Sequence, residues 1–125
     1  MEVHIAVGRA VESALQAAAS AIPSPIPAVA MIDTGASGTV LRQGLPALWG
    51  LNPVGLTFIN TPSSTNVACY EYLVRLIFPN NVLWEGTVVE AALQGQNIQC
   101  LIGRDVSSHA VLVYIGYTNQ FSLSF

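Results

Sequence analysis

The stretch Met31-Ile32-Asp33-Thr34-Gly35-Ala36-Ser37 decides how the rest of the chain is interpreted. It continues an apolar run, Ala28 to Ile32, whose β-branched residues favour a strand. A carboxylate therefore follows a strand and enters a turn of small residues. Strand-end turns often contain Asp and Gly for structural reasons, because Asp bonds its own backbone and Gly tolerates positive φ. Since the sequence contains two Asp, Asp33 and Asp105, a chemical role for Asp33 is the competing interpretation.

Length and composition limit the class of protein. With 125 residues, the chain is most simply one domain, residues 1–125. Hydrophobic residues make up 52% and charged residues 9%, and this apolar surplus suggests that some side chains cover an interface. The chain has no Lys, four Arg and a net charge of −3. It therefore lacks the basic surface that a nucleic acid partner requires.

The lack of a recognisable membrane span or secretory signal, together with the cysteine content, predicts a soluble domain inside the cell. No apolar run approaches the ~18 to 20 residues of a spanning helix, so no membrane span is predicted. The N-terminal region carries Glu2 and Glu12 and lacks the positive cluster of a secretory signal. We therefore expect a cytoplasmic protein, or a periplasmic one if a signal has been removed. Cys69 and Cys100 are expected to be reduced thiols, with Cys100 in the core.

Short strand patterns recur along the chain and favour an all-β, barrel-like domain. The predicted strands are Val3 to Val7, Ala28 to Ile32, Thr39 to Leu41, Leu56 to Ile59, Val67 to Phe78, Leu83 to Ala91, Ile98 to Ile102, Val111 to Ile115 and Phe121 to Phe125. Helical spacing predicts a helix from Ala10 to Ile22, ended by Pro23. A helical turn is predicted at Leu45 to Trp49 and a short helix from about Val106 to Ala110. The polar turn from Asn60 to Asn66 makes a hairpin tip, either a plain surface hairpin or a mobile flap over a cleft.

A lone carboxylate at a strand end can ligate metal, assist a nucleophile or work as an acid and base. His4, His109, Cys69 and Cys100 show no metal-ligand spacing, so neither a metal nor a cofactor is expected. A nucleophilic Ser37 would need a nearby base, and the two His lie in unremarkable contexts. Peptide hydrolysis by two carboxylates that share one proton remains. Because the chain supplies one suitable acid, that mechanism requires a second copy related by a two-fold axis.

Two motifs carry a resemblance to a known family. The segment from Ala30 to Val40 resembles the active-site loop of the retropepsin family, the homodimeric aspartic proteases of retroviruses, retrotransposons and bacteria. The segment Leu101-Ile102-Gly103-Arg104-Asp105 resembles the family's second signature. The tail from Phe121 to Phe125 is similar to the C-terminal strand that interleaves with the dimer mate. The likeness covers residues 28–125 and is closest to bacterial members, with the Ala-rich helix as an insertion.

The resemblance implies a retropepsin-like closed barrel with a flap hairpin, one short helix after Gly103-Arg104-Asp105 and an inserted helix near residues 10–22. It implies a homodimer, formed through the active-site loop and terminal strands, that cleaves peptide or protein substrates. A water between two Asp33 carboxylates, one from each chain, would attack the peptide bond. The implied site consists of catalytic Asp33, the active-site loop Thr34, Gly35, Ala36 and Ser37, the flap residues Asn60, Thr61, Pro62, Ser63, Ser64 and Thr65, and the structural support Gly103, Arg104 and Asp105.

The sequence departs from the family at Ser37, in the flap tip, and at Ser107, which stands where the family usually places a bulky apolar residue of the short helix. Viral members often carry an acid at the position of Ser37, where it pairs with the Arg that matches Arg104. Arg104 therefore needs another partner here, or bonds backbone carbonyls. The tip from Asn60 to Asn66 also lacks the glycines of viral flaps. Two alternatives stay open, a catalytically silent peptide-binding or dimerisation module of the same fold, and a self-processing protease domain of a longer polypeptide.

Overall fold

The computed structural model describes residues 1–61, 64–93 and 97–125. Strands dominate this part of the chain. In chain order they are β1 (Glu2–Val7), β2 (Ile26–Ile32), β3 (Val40–Arg42), β4 (Gly55–Thr61), β5 (Ser64–Phe78), β6 (Val82–Ala91), β7 (Cys100–Ile102), β8 (Val111–Ile115) and β9 (Gln120–Ser124). The helices are α1 (Arg9–Ala17), α2 (Leu45–Leu48) and α3 (Arg104–Ser107), and a 3₁₀ turn spans Pro79–Asn81. None of the helices in these ranges is both long and apolar enough to cross a membrane.

Six strands close into a barrel in the order β1-β2-β7-β3-β6-β5, and β5 pairs back with β1. The pairs β2–β7 and β3–β6 are parallel, and the other pairs in the barrel are antiparallel. The strand β4 pairs with β5 as a hairpin outside the closed ring. The strands β8 and β9 form a separate two-stranded sheet. The predicted all-β, barrel-like architecture is confirmed.

The barrel interior is filled by side chains that alternate along the strands. On β5, every second residue from Tyr72 to Phe78 is buried, which is the period-two pattern of a strand with one face in the core. Burial of these apolar groups is the main driving force for closing the barrel. The fully buried side chains from the other elements include Val3, Ile5, Leu41, Pro46, Val88, Cys100, Ile102 and Val106.

Helix α1 is shorter than predicted. It ends at Ala17 rather than at Ile22, because Ala19 adopts a left-handed conformation with φ of 53°. The Ser20 N–H donates to the Leu15 carbonyl over 2.9 Å, and the Ala19 N–H donates to the Gln16 carbonyl over 3.1 Å. These two bonds form a Schellman motif, which usually places glycine at the left-handed position. Helical spacing could not reveal this end, because alanine favours continuation.

Replacing Ala19 with glycine is expected to raise the free energy of unfolding by up to about 1 kcal/mol, because glycine adopts the left-handed conformation without strain. Urea denaturation followed by circular dichroism measures the change. The control variant Ala17→Gly, inside the last helical turn, should lower the same quantity by a similar amount. A loss of stability in Ala19→Gly as large as that in the control would contradict the assignment.

Polar contacts hold α1 against the barrel. Glu12 forms an ion pair with Arg75 on β5, and the Arg75 guanidinium also donates to the Val7 carbonyl. The backbone N–H of Arg9 donates to the Glu85 carboxylate on β6. No residue of α1 is buried. The helix therefore covers the outside of the barrel and adds little to its core.

Candidate active site

Asp33 is the first residue after β2. Its backbone N–H donates to the Ile102 carbonyl of β7 over 2.9 Å, which extends the parallel pairing of Ile32 with Ile102. The side chain is half-buried. Pairing between β2 and β7 thus brings the two sequence motifs side by side, although about seventy residues separate them along the chain.

The Asp33 carboxylate is held at one oxygen and open at the other. The Gly35 N–H donates to Oδ1 over 2.9 Å, and a Cβ at Gly35 would lie 3.2 Å from the same oxygen. Glycine therefore lets the carboxylate approach the turn closely. Within the described ranges, Oδ2 accepts no hydrogen bond. That oxygen therefore keeps its capacity to accept a hydrogen bond.

Asp105 and Thr39 form a partly buried network beneath this loop. The Thr39 hydroxyl donates to Asp105 Oδ1 over 2.8 Å, and the Thr39 N–H donates to Asp105 Oδ2 over 3.0 Å. The same hydroxyl accepts the Gly103 N–H over 3.1 Å. Thr39 is 1% exposed, so these bonds satisfy polar groups that would otherwise be buried without partners. The network ties the end of the Asp33 loop to the start of α3.

Gly103 packs directly on the loop backbone. A Cβ at Gly103 would lie 2.5 Å from the carbonyl carbon and the carbonyl oxygen of Gly38. No side chain fits at that distance. The glycine in the second motif is therefore a requirement of close approach between the two segments.

The first turn of α3 also bonds the loop. The Arg104 N–H donates to the Ala36 carbonyl over 2.9 Å, and the Asp105 N–H donates to the Ser37 carbonyl over 3.2 Å. These donors are among those that a helix start leaves unpaired. The Arg104 guanidinium donates from Nη1 to the Thr34 carbonyl over 2.8 Å. Arg104 therefore bonds a backbone carbonyl. Because position 37 is Ser rather than an acid, this bond was one of the two outcomes expected for Arg104, the other being a different partner.

The hairpin predicted as a flap is formed by β4 and β5. Asn60 and Thr61 end β4, and Ser64 and Thr65 begin β5, whereas Pro62 and Ser63 lie outside the described residues. The pairing register shifts between Ile59 and Thr61, which marks a β-bulge near the tip. Asn66 has φ of 52°, and its N–H donates to Asn60 Oδ1 over 3.1 Å. A flap function for this hairpin stays a prediction.

The β8–β9 hairpin is rich in exposed apolar side chains. Leu112 pairs with Leu123 and Tyr114 pairs with Phe121, so these four share one face of the hairpin. Tyr114 is 67% exposed and Val111, on the opposite face, is 64% exposed. A groove of about 460 Å³ separates the hairpin from β2, and it is lined by Met1, Ala30, Met31, Ile32, Thr34, Leu112, Tyr114 and Phe121.

The cysteines are unsuited to nucleophilic chemistry. Burial, with a smaller contribution from the Asp105 charge, raises the pKa of the Cys100 thiol to about 12. Burial and the Glu90 charge also raise the pKa of the Cys69 thiol. Both cysteines are free. In the described part of the chain, no three His, Cys, Asp or Glu side chains are grouped as metal ligands.

Sequence reasoning assigned Asp105 to structural support but missed Thr39, which it treated as the start of a strand. The available signal was a lone hydroxyl residue between Gly38 and the apolar Val40 and Leu41. A buried Thr at such a position needs a partner, and Asp105 was the remaining Asp in the sequence.

No protein-family model matches this sequence, and no curated protein matches it either.

Proposed function

We propose that this chain is one half of a homodimeric, retropepsin-like aspartic endopeptidase. The observation that carries the proposal is a single open carboxylate, Asp33, in a loop that is fixed from below by Asp105, Thr39 and Gly103. A loop held this firmly orients the carboxylate before substrate binds, which is the condition for efficient proton transfer.

The chain's other acids are engaged or placed elsewhere, so the second carboxylate has to come from another copy. Both oxygens of Asp105 accept hydrogen bonds from Thr39. The five Glu are distributed over the barrel as follows: Glu12 pairs with Arg75, Glu85 accepts the Arg9 N–H, Glu90 accepts the Gly44 N–H, Glu71 lies against Gly55, and Glu2 begins β1. A two-fold axis next to Asp33 would supply a matching acid.

The β8–β9 hairpin supports association of two copies. In the described part of the chain it forms a two-stranded sheet of its own, and both faces carry exposed apolar side chains. Exposed apolar surface of this kind is typical of an interface. The Thr34 hydroxyl makes no hydrogen bond within the described residues and is exposed, so it is free to bond the loop of a second copy.

In the proposed mechanism, the two Asp33 carboxylates share one proton, because two such acids at contact distance do not both ionise. The ionised member removes a proton from a water held between them. The protonated member donates to the carbonyl oxygen of the scissile peptide bond. The substrate lies extended, with backbone hydrogen bonds to the loop and the β4–β5 hairpin.

A cleavage assay across pH tests the proposal. The chain is incubated with an unfolded protein such as casein over a series of pH values on both sides of neutrality. We expect cleavage that is strongest below neutral pH and that declines as the dyad loses its proton. A statine-type transition-state mimic should also raise the melting temperature. A folded dimer that yields no product at any pH would instead indicate a silent peptide-binding or dimerisation module.

A further inference from the structure

The Arg104 guanidinium lies beside the candidate catalytic loop with most of its hydrogen-bonding capacity unused. Its side chain is exposed, and Nη1 donates to the carbonyl of Thr34, the residue after Asp33. That contact is the one hydrogen bond the side chain makes within the described residues. A guanidinium has five N–H donors in a fixed planar fork. The Thr34 carbonyl therefore orients the group and leaves the other donors without a partner in the described residues.

No acid of the chain neutralises this charge. All seven acidic residues lie in the described ranges, and the residues outside them, Pro62, Ser63, Gln94, Gly95 and Gln96, are uncharged. Arg75 forms an ion pair with Glu12. Asp105, the neighbour of Arg104, directs its carboxylate to Thr39. Ser37 provides a hydroxyl rather than a carboxylate.

We propose that Arg104 binds a carboxylate of the substrate, so that the enzyme favours peptides with glutamate or aspartate near the scissile bond. This inference rests on the proposed function and names its substrate class. An oriented guanidinium forms charge-assisted, bidentate hydrogen bonds to a carboxylate, and these are stronger than neutral ones. In a second copy, Asp105, Glu12, Glu85 and Glu90 already have partners within their own chain, so Glu2, Glu71 and the dyad member Asp33 are the acids that could compete with a substrate carboxylate.

Paired peptides test the proposal. Peptides that differ by Glu or Gln at each position in turn are titrated against the Asp33→Asn dimer, which needs no turnover, and fluorescence anisotropy reports binding. At low salt, the Glu peptide should bind about threefold to tenfold more tightly at one or two positions, as expected for an exposed charge-assisted pair. The preference should shrink with added salt and fade as the pH falls from about 5 to about 3, where the glutamate side chain becomes protonated.

Variants at position 104 test whether Arg104 causes the preference for Glu peptides. In the Asp33→Asn background, Arg104→Gln should remove the Glu preference, Arg104→Lys should keep part of it, and Arg104→Glu should favour Lys peptides. The matched control Arg9→Gln removes an exposed Arg from the start of α1 and should leave the preference unchanged. If Arg104→Gln does not fold, the Arg104→Lys variant and the salt dependence of peptide binding still test whether Arg104 causes the Glu preference.

Three results would overturn the inference. Equal binding of Glu and Gln peptides at every position excludes a carboxylate site. A Glu preference that persists in Arg104→Gln assigns it to another residue. Dissociation of the dimer by Arg104→Gln, with binding of the Glu and Gln peptides lost alike, shows that Arg104 pairs with the partner chain. If Arg104-dependent binding is found but wild type cleaves nothing, the proposed function fails, and Arg104 binds the carboxylate of a peptide ligand rather than of a substrate.

Discussion

Replacing Asp33 with asparagine is expected to lower kcat for peptide cleavage by at least about a thousandfold, because an amide can neither take a proton from water nor share one with its mate. Asparagine has the same shape as aspartate, and its side-chain oxygen can still accept the Gly35 N–H that now binds Oδ1. The loop should therefore keep its conformation. A lower kcat would therefore reflect the loss of proton transfer by Asp33 rather than unfolding of the protein.

The assay compares initial rates on one peptide at the pH of maximal activity, with melting temperature and dimer mass as controls for folding and assembly. Glu2→Gln makes the same change of acid to amide at the start of β1 and should leave the rate close to that of wild type. If Asp33→Asn keeps more than about a tenth of the wild-type rate, Asp33 does not perform the proton transfer.

Replacing Asp105 with leucine is expected to lower the free energy of unfolding by about 3 kcal/mol, because it leaves the Thr39 N–H and hydroxyl buried without acceptors. Each orphaned group costs about 1 to 3 kcal/mol. The melting temperature should fall by roughly 10 °C for a domain of this size. Cleavage should also be lost, because the Asp33 loop would lose its attachment to α3.

Asp105→Asn is the matched control for this prediction. Its amide oxygen can replace one acceptor, and its NH₂ group can donate to the Thr39 hydroxyl, so we expect a loss below about 1.5 kcal/mol. Denaturation by urea and by heat measures both variants. Equal stability of Asp105→Leu and wild type would show that the network does not hold the loop.

The strand pattern was predictable because period-two burial is visible in the sequence. The prediction for β8, Val111–Ile115, agrees with the structure to the residue, and β5 differs only in starting at Ser64 rather than Val67. Helix ends were less predictable. Helix α3 begins at Arg104 rather than near Val106, because carbonyls of the Asp33 loop accept its first N–H groups. Such a start depends on tertiary contact and not on local propensity.

The sequence showed the two motifs of the candidate site, around Asp33 and around Gly103, but not the hydrogen bonds and packing that join them. The spacing of Asp33 and Gly103 along the chain does not show that a parallel strand pair joins them. It also does not show that Gly103 lies against Gly38, or that Thr39 occupies both oxygens of Asp105. These features depend on barrel closure. The sequence left two kinds of partner open for Arg104, and the structure places its guanidinium against the Thr34 carbonyl.

The central claim is that each active site contains Asp33 from two chains, and a mixing experiment tests it directly. Wild type and Asp33→Asn are combined in equal amounts and left until their subunits have exchanged. If both acids are needed, activity at the same total chain concentration should fall to about one quarter, the fraction of dimers with two wild-type chains. A fall to only about one half, as expected when each chain acts alone, would contradict the account.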